Sequence, residues 1–223
     1  MKKLLLLIAL CTTVSSFGQK DSLQLGEKYR DDQLYIGFTY NQLFSQPSQV
    51  GGSGFSYGFS GGYIKDIPLR REGDLSLGIG IGYGFDSFNH DLKVTELNNV
   101  YSFSVDNAIS SNKFSIHTLE LPIEFRWRTS TAKKYKFWRI YTGIKFGYNL
   151  GNTFSYVENS NAINLQNIPN FKKVQYGLTI SAGYDAFNAH IYYGLTPILE
   201  NATIGTSSID TKILKIGLVF YIL

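Results

Sequence analysis

Leu75-Ser76-Leu77-Gly78-Ile79-Gly80-Ile81-Gly82-Tyr83-Gly84-Phe85 alternates without a break: every odd position is large and apolar, every even one is Gly or Ser. Side chains of a strand point alternately to opposite faces, so this stretch has one greasy face and one nearly bare face. The same period of two returns along most of the 223 residues, with Gly, Ser, Thr, Asn, Glu, Lys and Arg on the second face. A sheet of this kind has no ordinary hydrophobic core to build. Its apolar face needs another partner, and the candidate is lipid.

The start of the chain suits export. Lys2 and Lys3 precede the apolar run Leu4–Leu10, and Ser15-Ser16-Phe17-Gly18 offers small residues to a signal peptidase. Residues 1–18 therefore read as a signal peptide cut after Gly18, too short to span a bilayer as a helix. Cys11, the single cysteine, either leaves with that peptide or is the acylated cysteine of a lipoprotein; the bulky Leu10 before it argues against acylation. Without Cys11 there is no thiol for a disulfide or a soft metal site. Removing Lys2 and Lys3 from the 21 basic residues leaves 19 against 17 acidic ones, too weak an excess to argue for nucleic acid. Mean hydropathy is −0.08, and no helix-length apolar run follows the leader, so helical spans are not expected. The aromatic share of 15% is high for a soluble domain and suits a barrel with aromatic girdles.

The alternation divides the rest into a periplasmic lead, 19–32, and an outer-membrane β-barrel, 33–223. The fold expected is all-β, an eight-stranded antiparallel closed transmembrane barrel, with strands at about 33–43, 54–66, 75–85, 114–128, 137–151, 173–185, 188–199 and 212–223. Links 67–73, 129–136 and 186–187 are short, whereas 44–53, 87–112, 152–172 and 200–211 are long and rich in Asn, Ser and Gly. Outer-membrane barrels show this asymmetry between periplasmic turns and surface loops. Trp127, Tyr135, Phe137 and Trp138 gather beside a short turn, where a periplasmic aromatic girdle belongs.

The fourth strand is the most charged. Leu119, Leu121, Ile123, Phe125 and Trp127 share one parity, and Glu120, Glu124, Arg126 and Arg128 the other. The next strand turns Arg139 and Lys145 the same way, and the last strand adds Lys215. A hairpin symmetric about its turn would set Glu120 opposite Lys145 and Arg126 opposite Arg139, with Glu124 bridging the two arginines. In so narrow a barrel these seven charges read as a structural network that plugs the lumen, because unpaired buried charge is costly. An ion path or binding site is the functional alternative. The histidines assemble no catalytic group: His90 falls in a surface loop, His117 on the lipid-side parity and His190 inward near the periplasmic rim. The glycines at 78, 80, 82 and 84 leave room for large inward partners such as Tyr35 and Arg126. No catalytic residue, metal site, cofactor or small-molecule substrate is indicated.

Residues 28–41, Lys28-Tyr29-Arg30-Asp31-Asp32-Gln33-Leu34-Tyr35-Ile36-Gly37-Phe38-Thr39-Tyr40-Asn41, together with Gly62-Tyr63-Ile64-Lys65-Asp66-Ile67-Pro68, resemble the corresponding stretches of PorT/SprT-type outer-membrane proteins. Thr118-Leu119-Glu120-Leu121-Pro122-Ile123-Glu124-Phe125-Arg126-Trp127 resembles the LE-x-P strand of the wider PorT-like barrel family. The resemblance implies a non-enzymatic accessory or assembly role in type IX protein secretion and, in some hosts, gliding. It carries over no site residue. The end of the chain departs from the usual outer-membrane signature, finishing on Leu223 instead of Phe. Expected partners are outer-membrane lipid and other secretion-system or envelope proteins, met through 87–112, 152–172 and the lead. A general OmpX-like or PorT-like envelope barrel for integrity or adhesion is the alternative. A soluble lipocalin-like binder would need an apolar interior, which the charged parity of the fourth strand opposes.

Overall fold

The computed structural model describes residues 32–51, 54–106, 109–129 and 138–222. The expected signal peptide, Cys11, nearly all of the lead, Tyr135, Phe137 and Leu223 lie outside the described residues. The strands, in chain order, are β1 (Gln33–Phe44), β2 (Tyr57–Pro68), β3 (Leu75–Asn89), β4 (Leu92–Leu97), β5 (Val100–Val105), β6 (Ser110–Arg128), β7 (Trp138–Glu158), β8 (Asn161–Gln166), β9 (Val174–Tyr184), β10 (Phe187–Gly194), β11 (Thr203–Ile204), β12 (Ser207–Ser208) and β13 (Lys212–Ile222).

Eight of these close a ring. Around it run β6, β3, β2, β1, β13, β10, β9 and β7, and β7 pairs with β6 again. Every pairing is antiparallel. Closure leaves no strand edge facing hydrocarbon, where unpaired backbone groups would have no partner. The ends of β1 and β13 lie together, with Leu34 opposite Ile222, at the end that also carries the short links 69–74, 129–137 and 185–186. Short turns mark the periplasmic end, so the longer connections stand outside the cell.

The outward parity matches the alternation. Leu34, Ile36, Phe38 and Tyr40 on β1 are about half exposed, as are Leu121, Ile123, Phe125 and Trp127 on β6. Their inward neighbours Tyr35, Asn41, Glu120, Glu124, Arg126 and Arg128 are buried.

Above the membrane band the expectations need correcting. In their described residues the stretches 87–112 and 152–172 are largely strand. β6 has 19 residues and β7 has 21, against the roughly 9–11 that a tilted strand needs to cross. β3 runs on to Asn89, β4 and β5 form a hairpin, and β8 pairs with the top of β7. The hairpin closes on Asn98 and Asn99, both left-handed (φ 52° and 62°), as a two-residue type I′ turn requires. The reason for this order is an apolar core: Phe88, Leu92, Val94, Phe103, Phe114, Ile116, Phe154, Tyr156, Ile168, Phe171, Ile198 and Ile209 pack into one buried cluster. A conventional hydrophobic core therefore does exist, outside the membrane.

A single residue joins the two regimes. The β6–β7 register passes from Thr118 opposite Asn149 to His117 opposite Gly151, so Leu150 is a bulge. Below it the odd residues Arg139, Tyr141, Lys145 and Asn149 of β7 are buried; above it Asn152, Phe154 and Tyr156 are. The extra residue switches the face, as a period of two demands.

Candidate functional site

The lumen fills from the periplasmic end upward with paired charge. Asp66, the inward residue near the end of β2, accepts bonds from Arg128 Nη2 at 2.7 Å, Arg126 Nη1 at 3.3 Å and the Ser76 hydroxyl at 2.6 Å. Arg126 also donates from Nε to Glu124 at 3.1 Å and from Nη2 to Gln33 Oε1 at 2.9 Å. Its guanidinium lies 4.5 Å from the Tyr141 ring centre. Arg128 donates from Nε to the Gly73 carbonyl at 2.6 Å, which ties the network to the β2–β3 turn. Arg139 is buried beside the Tyr221 ring, 5.8 Å from its centre.

Midway up, Lys145 Nζ donates to Glu120 at 3.0 Å, and the Tyr35 hydroxyl reaches the same carboxylate at 3.3 Å. Higher still, Lys215 donates to Asp86 at 2.6 Å, and Asn41 Nδ2 donates to the other oxygen of that carboxylate at 2.8 Å. Ser181 Oγ and His190 Nδ1 lie 2.7 Å apart in the wall. Ion pairs this deep need a full set of partners, since removing one leaves a charge stranded in low dielectric.

The sequence reasoning placed two of these contacts through the wrong register. Glu120 is opposite Gly147 and not Lys145, Arg126 is opposite Tyr141, and Arg139 faces Arg128. Each partner on β7 lies two residues beyond the expected one. A shift of two keeps every side chain on its face, and Glu120 reaches Lys145 diagonally instead. Asp66 and Asp86 went unnoticed although both have inward parity. Asp66 is the last residue of the expected strand 54–66, and Asp86 lies one residue beyond the expected end of 75–85.

The glycine file on β3 explains why these large groups fit. A Cβ on Gly78 would lie 2.8 Å from Arg126 Nε, and one on Gly82 would strike the Tyr35 hydroxyl. Between these groups lie a cavity of about 20 Å³ among Glu120, Lys145, Gln175, Tyr192 and Lys215, and one of about 10 Å³ among Tyr35, Glu124, His190 and Tyr221. Each holds about one water at most.

The extracellular cap closes the top. Phe88 stacks on Phe114 at 4.7 Å, and Phe114 meets Phe171 edge-on at 5.6 Å. His90 is not in a surface loop as expected. It is 1% exposed, between the rings of Phe114 (4.8 Å) and Phe154 (4.9 Å). Its Nδ1 accepts the Leu92 N–H at 2.9 Å, which turns the corner into β4. Burial pushes the His90 pKa down to about 3, so the ring is neutral. At the cap surface Lys93 donates to Glu158 at 2.6 Å and Asp106 at 2.9 Å, and these bonds hold its ammonium well above the ordinary lysine range.

Rings mark both edges of the lipid-facing band. Trp127 and Trp138 sit outward at the periplasmic ends of β6 and β7, and Trp138 meets Tyr184 at 5.5 Å. A second set, which the sequence reasoning missed, stands at the outer edge: Tyr40, Tyr57, Tyr83, Tyr148, Tyr176 and Tyr193. The signal was available, because each is the tyrosine nearest the long-loop end of an outward parity series.

The family described as outer membrane protein beta-barrel domain matches residues 17–200. No curated protein sequence matches. Among solved structures the chain is similar to Ail, the attachment invasion locus protein of Yersinia pestis, with 11% identity and a TM-score of 0.39, covering 87% of this chain and 99% of that one. It is similar also to Ail in complex with the heparin analogue sucrose octasulfate, with 13% identity and a TM-score of 0.39, covering 86% and 97%.

Proposed function

Because the chain belongs to the outer membrane protein β-barrel domain family, we propose that it is a non-enzymatic barrel that acts through contacts made by its extracellular cap. The observation that carries this reading is the sealed interior. Ion pairs fill the lumen from Asp66 to Asp86, and an apolar core of several connections closes it above. A barrel without a bore offers its outside surfaces as the means of action. The ordered cap, with the β4–β5 hairpin outside the hydrogen-bonded ring but packed onto its upper strands, supplies a shaped surface for protein partners.

The finer reading is an accessory or assembly role in type IX secretion, with cleavage of the leader after Gly18. It rests on the resemblance of residues 28–41, 62–68 and 118–127 to the PorT/SprT type. The second reading is a general envelope barrel for integrity or adhesion, and the folded extracellular cap favours it equally. A clean deletion separates them. Mass spectrometry of secreted and periplasmic fractions should show cargo with type IX C-terminal signals trapped in the periplasm, restored by complementation. Unchanged export with a leaky or less adhesive surface moves the protein to the envelope reading.

A further inference from the structure

The lipid-facing wall is not uniform. At mid-height on β6, β7 and β9 it is mostly aliphatic, Leu121, Ile123, Ile144, Leu178 and Ile180 surrounding a single Phe ring, Phe146, 6.1 Å from Tyr176. On β1 and β2 it is aromatic. Phe38 meets Phe59 edge-on at 5.1 Å, Tyr40 lies 5.6 Å from Phe55, and Tyr57 meets Phe59 at 5.6 Å. These five rings, with Thr39 and Gly58, line an open groove of about 480 Å³. Directly below, opposite Ile36 and Tyr83, the outward Gly61 leaves the wall without a side chain. A Cβ there would meet only the Tyr35 carbonyl oxygen, at 3.5 Å.

We propose that this groove is a binding site for one straight, saturated acyl chain of an outer-leaflet lipid. The occupant follows from position. The paired residues Phe38–Phe59 and Tyr40–Tyr57 run from mid-barrel to the outer tyrosine edge, so the groove is continuous with the lipid-facing surface, with Phe55 just above that edge. Hydrocarbon is the solvent there. Apolar burial gives no preference in such a solvent, and association is decided by shape and dispersion contact. Rings with two torsions each, Phe38 and Tyr57 edge-on to Phe59 and Phe55 stacked on Tyr57, line an open groove that a chain can enter with little reorganisation. The wall at Ile144 carries one ring contact, Phe146 with Tyr176, in place of a file of five rings. The hydroxyls of Tyr40 and Tyr57 stand at the upper end, where a head group bound to that chain would find hydrogen-bond partners.

The test uses the full chain in lipid vesicles. Trp127→Phe and Trp138→Phe remove both native tryptophans, and a single reporter is placed in the groove (Phe59→Trp) or on the aliphatic wall (Ile144→Trp). Vesicles of dioleoyl phosphatidylcholine carrying its acyl-brominated analogue quench each reporter, and distearoyl phosphatidylcholine is titrated in to displace the quencher. At the groove the saturated lipid should displace with a relative constant about fivefold above that at Ile144, a difference of about 1 kcal/mol. Phe38→Ala with Phe55→Ala should return the groove value to that of the wall. A second reporter, Phe85→Trp, whose native ring lies 6.3 Å from Tyr57, guards against distortion by the first. Equal constants at groove and wall for both reporters overturn the proposal. So does a groove reporter that brominated lipid fails to quench while Ile144→Trp is quenched, which would mean that protein covers the groove.

Discussion

The barrel and its cap are built from the same strands with opposite polarity. On β6 the inward series reads Arg128, Arg126, Glu124 and Glu120 within the membrane, then Ile116 and Phe114 above it. The outward series reads Trp127, Phe125, Ile123 and Leu121, then His117, Ser115 and Lys113. Where lipid takes up the apolar face, the interior is left for ions. Where water surrounds the sheet, the apolar groups turn inward. The lesson is that the surroundings, and not the strand, choose which face becomes the core, and that one strand can carry both arrangements.

The comparison predicts two kinds of failure. The largest effect belongs to the lumen. Asp66→Ala removes the carboxylate that two fully buried arginines share, and should cost about 3–5 kcal/mol. A urea titration of the reconstituted barrel reads this. A loss below about 1 kcal/mol would mean that the lumen network is not what holds the barrel. Next comes the cap. Phe154→Ala, 1% exposed in the native cluster, should cost about 3 kcal/mol of cap stability. It should expose the β4–β5 hairpin to protease while heat-resistant migration of the barrel persists. Loss of both together would show that the two regions unfold as one and would break the distinction.

Charge reversal sharpens the lumen half. Glu120→Lys or Lys145→Glu alone should weaken the barrel, and the double reversal should recover more heat-resistant protein than either. A loss in the double variant equal to the sum of the two single losses removes the pair as a unit, because uncoupled sites simply add.

Acid acts on the cap through His90. The unfolded ring takes up its proton near pH 6.5, whereas the buried ring resists until about 3. The unfolded state therefore binds more protons between those values, and cap stability falls as pH drops through that window, by up to about 1.4 kcal/mol per pH unit. Above pH 6.5 the effect vanishes. Hydrogen exchange at the Leu92 amide measures it, and His90→Phe should flatten the slope. The smallest effect is expected from Lys93→Met, about 1 kcal/mol or less, since its carboxylate partners are each about a third exposed.

Much of the barrel was legible in the sequence because a period of two survives where one face meets lipid throughout. Leu34, Ile36, Phe38 and Tyr40, or Leu121 through Trp127, need no tertiary knowledge to be assigned outward. The cap was illegible for the opposite reason. Its core is gathered from separate connections: Phe171 stands alone between Asn170 and Lys172, and the alternations Leu92-Lys93-Val94 and Tyr101-Ser102-Phe103-Ser104-Val105 are too short to stand out among Asn and Ser. Alternation in β7 also breaks at Leu150, which made the strand seem to end there. The lumen charges were visible as a parity set, but their partners depended on a hairpin register that the turn 129–137 does not reveal. Asp66 and Asp86, at or past the expected strand ends, show how a boundary error of one or two residues can hide an essential carboxylate.

The bulge at Leu150 also constrains how the gene can change. Insertions of any length between strands only lengthen a connection. In the upper half of β7 an insertion or deletion behaves like a frameshift: one residue transposes Phe154 and Tyr156 with Ser155 and Val157, and a second restores them. Deleting Leu150 alone would remove the bulge and leave Asn152, Phe154 and Tyr156 in phase with the cap, while deleting one residue between 151 and 153 would put the wrong frame on the remainder up to Glu158. Variation along this strand should therefore accumulate in units of two, with Leu150 as the point from which the count begins.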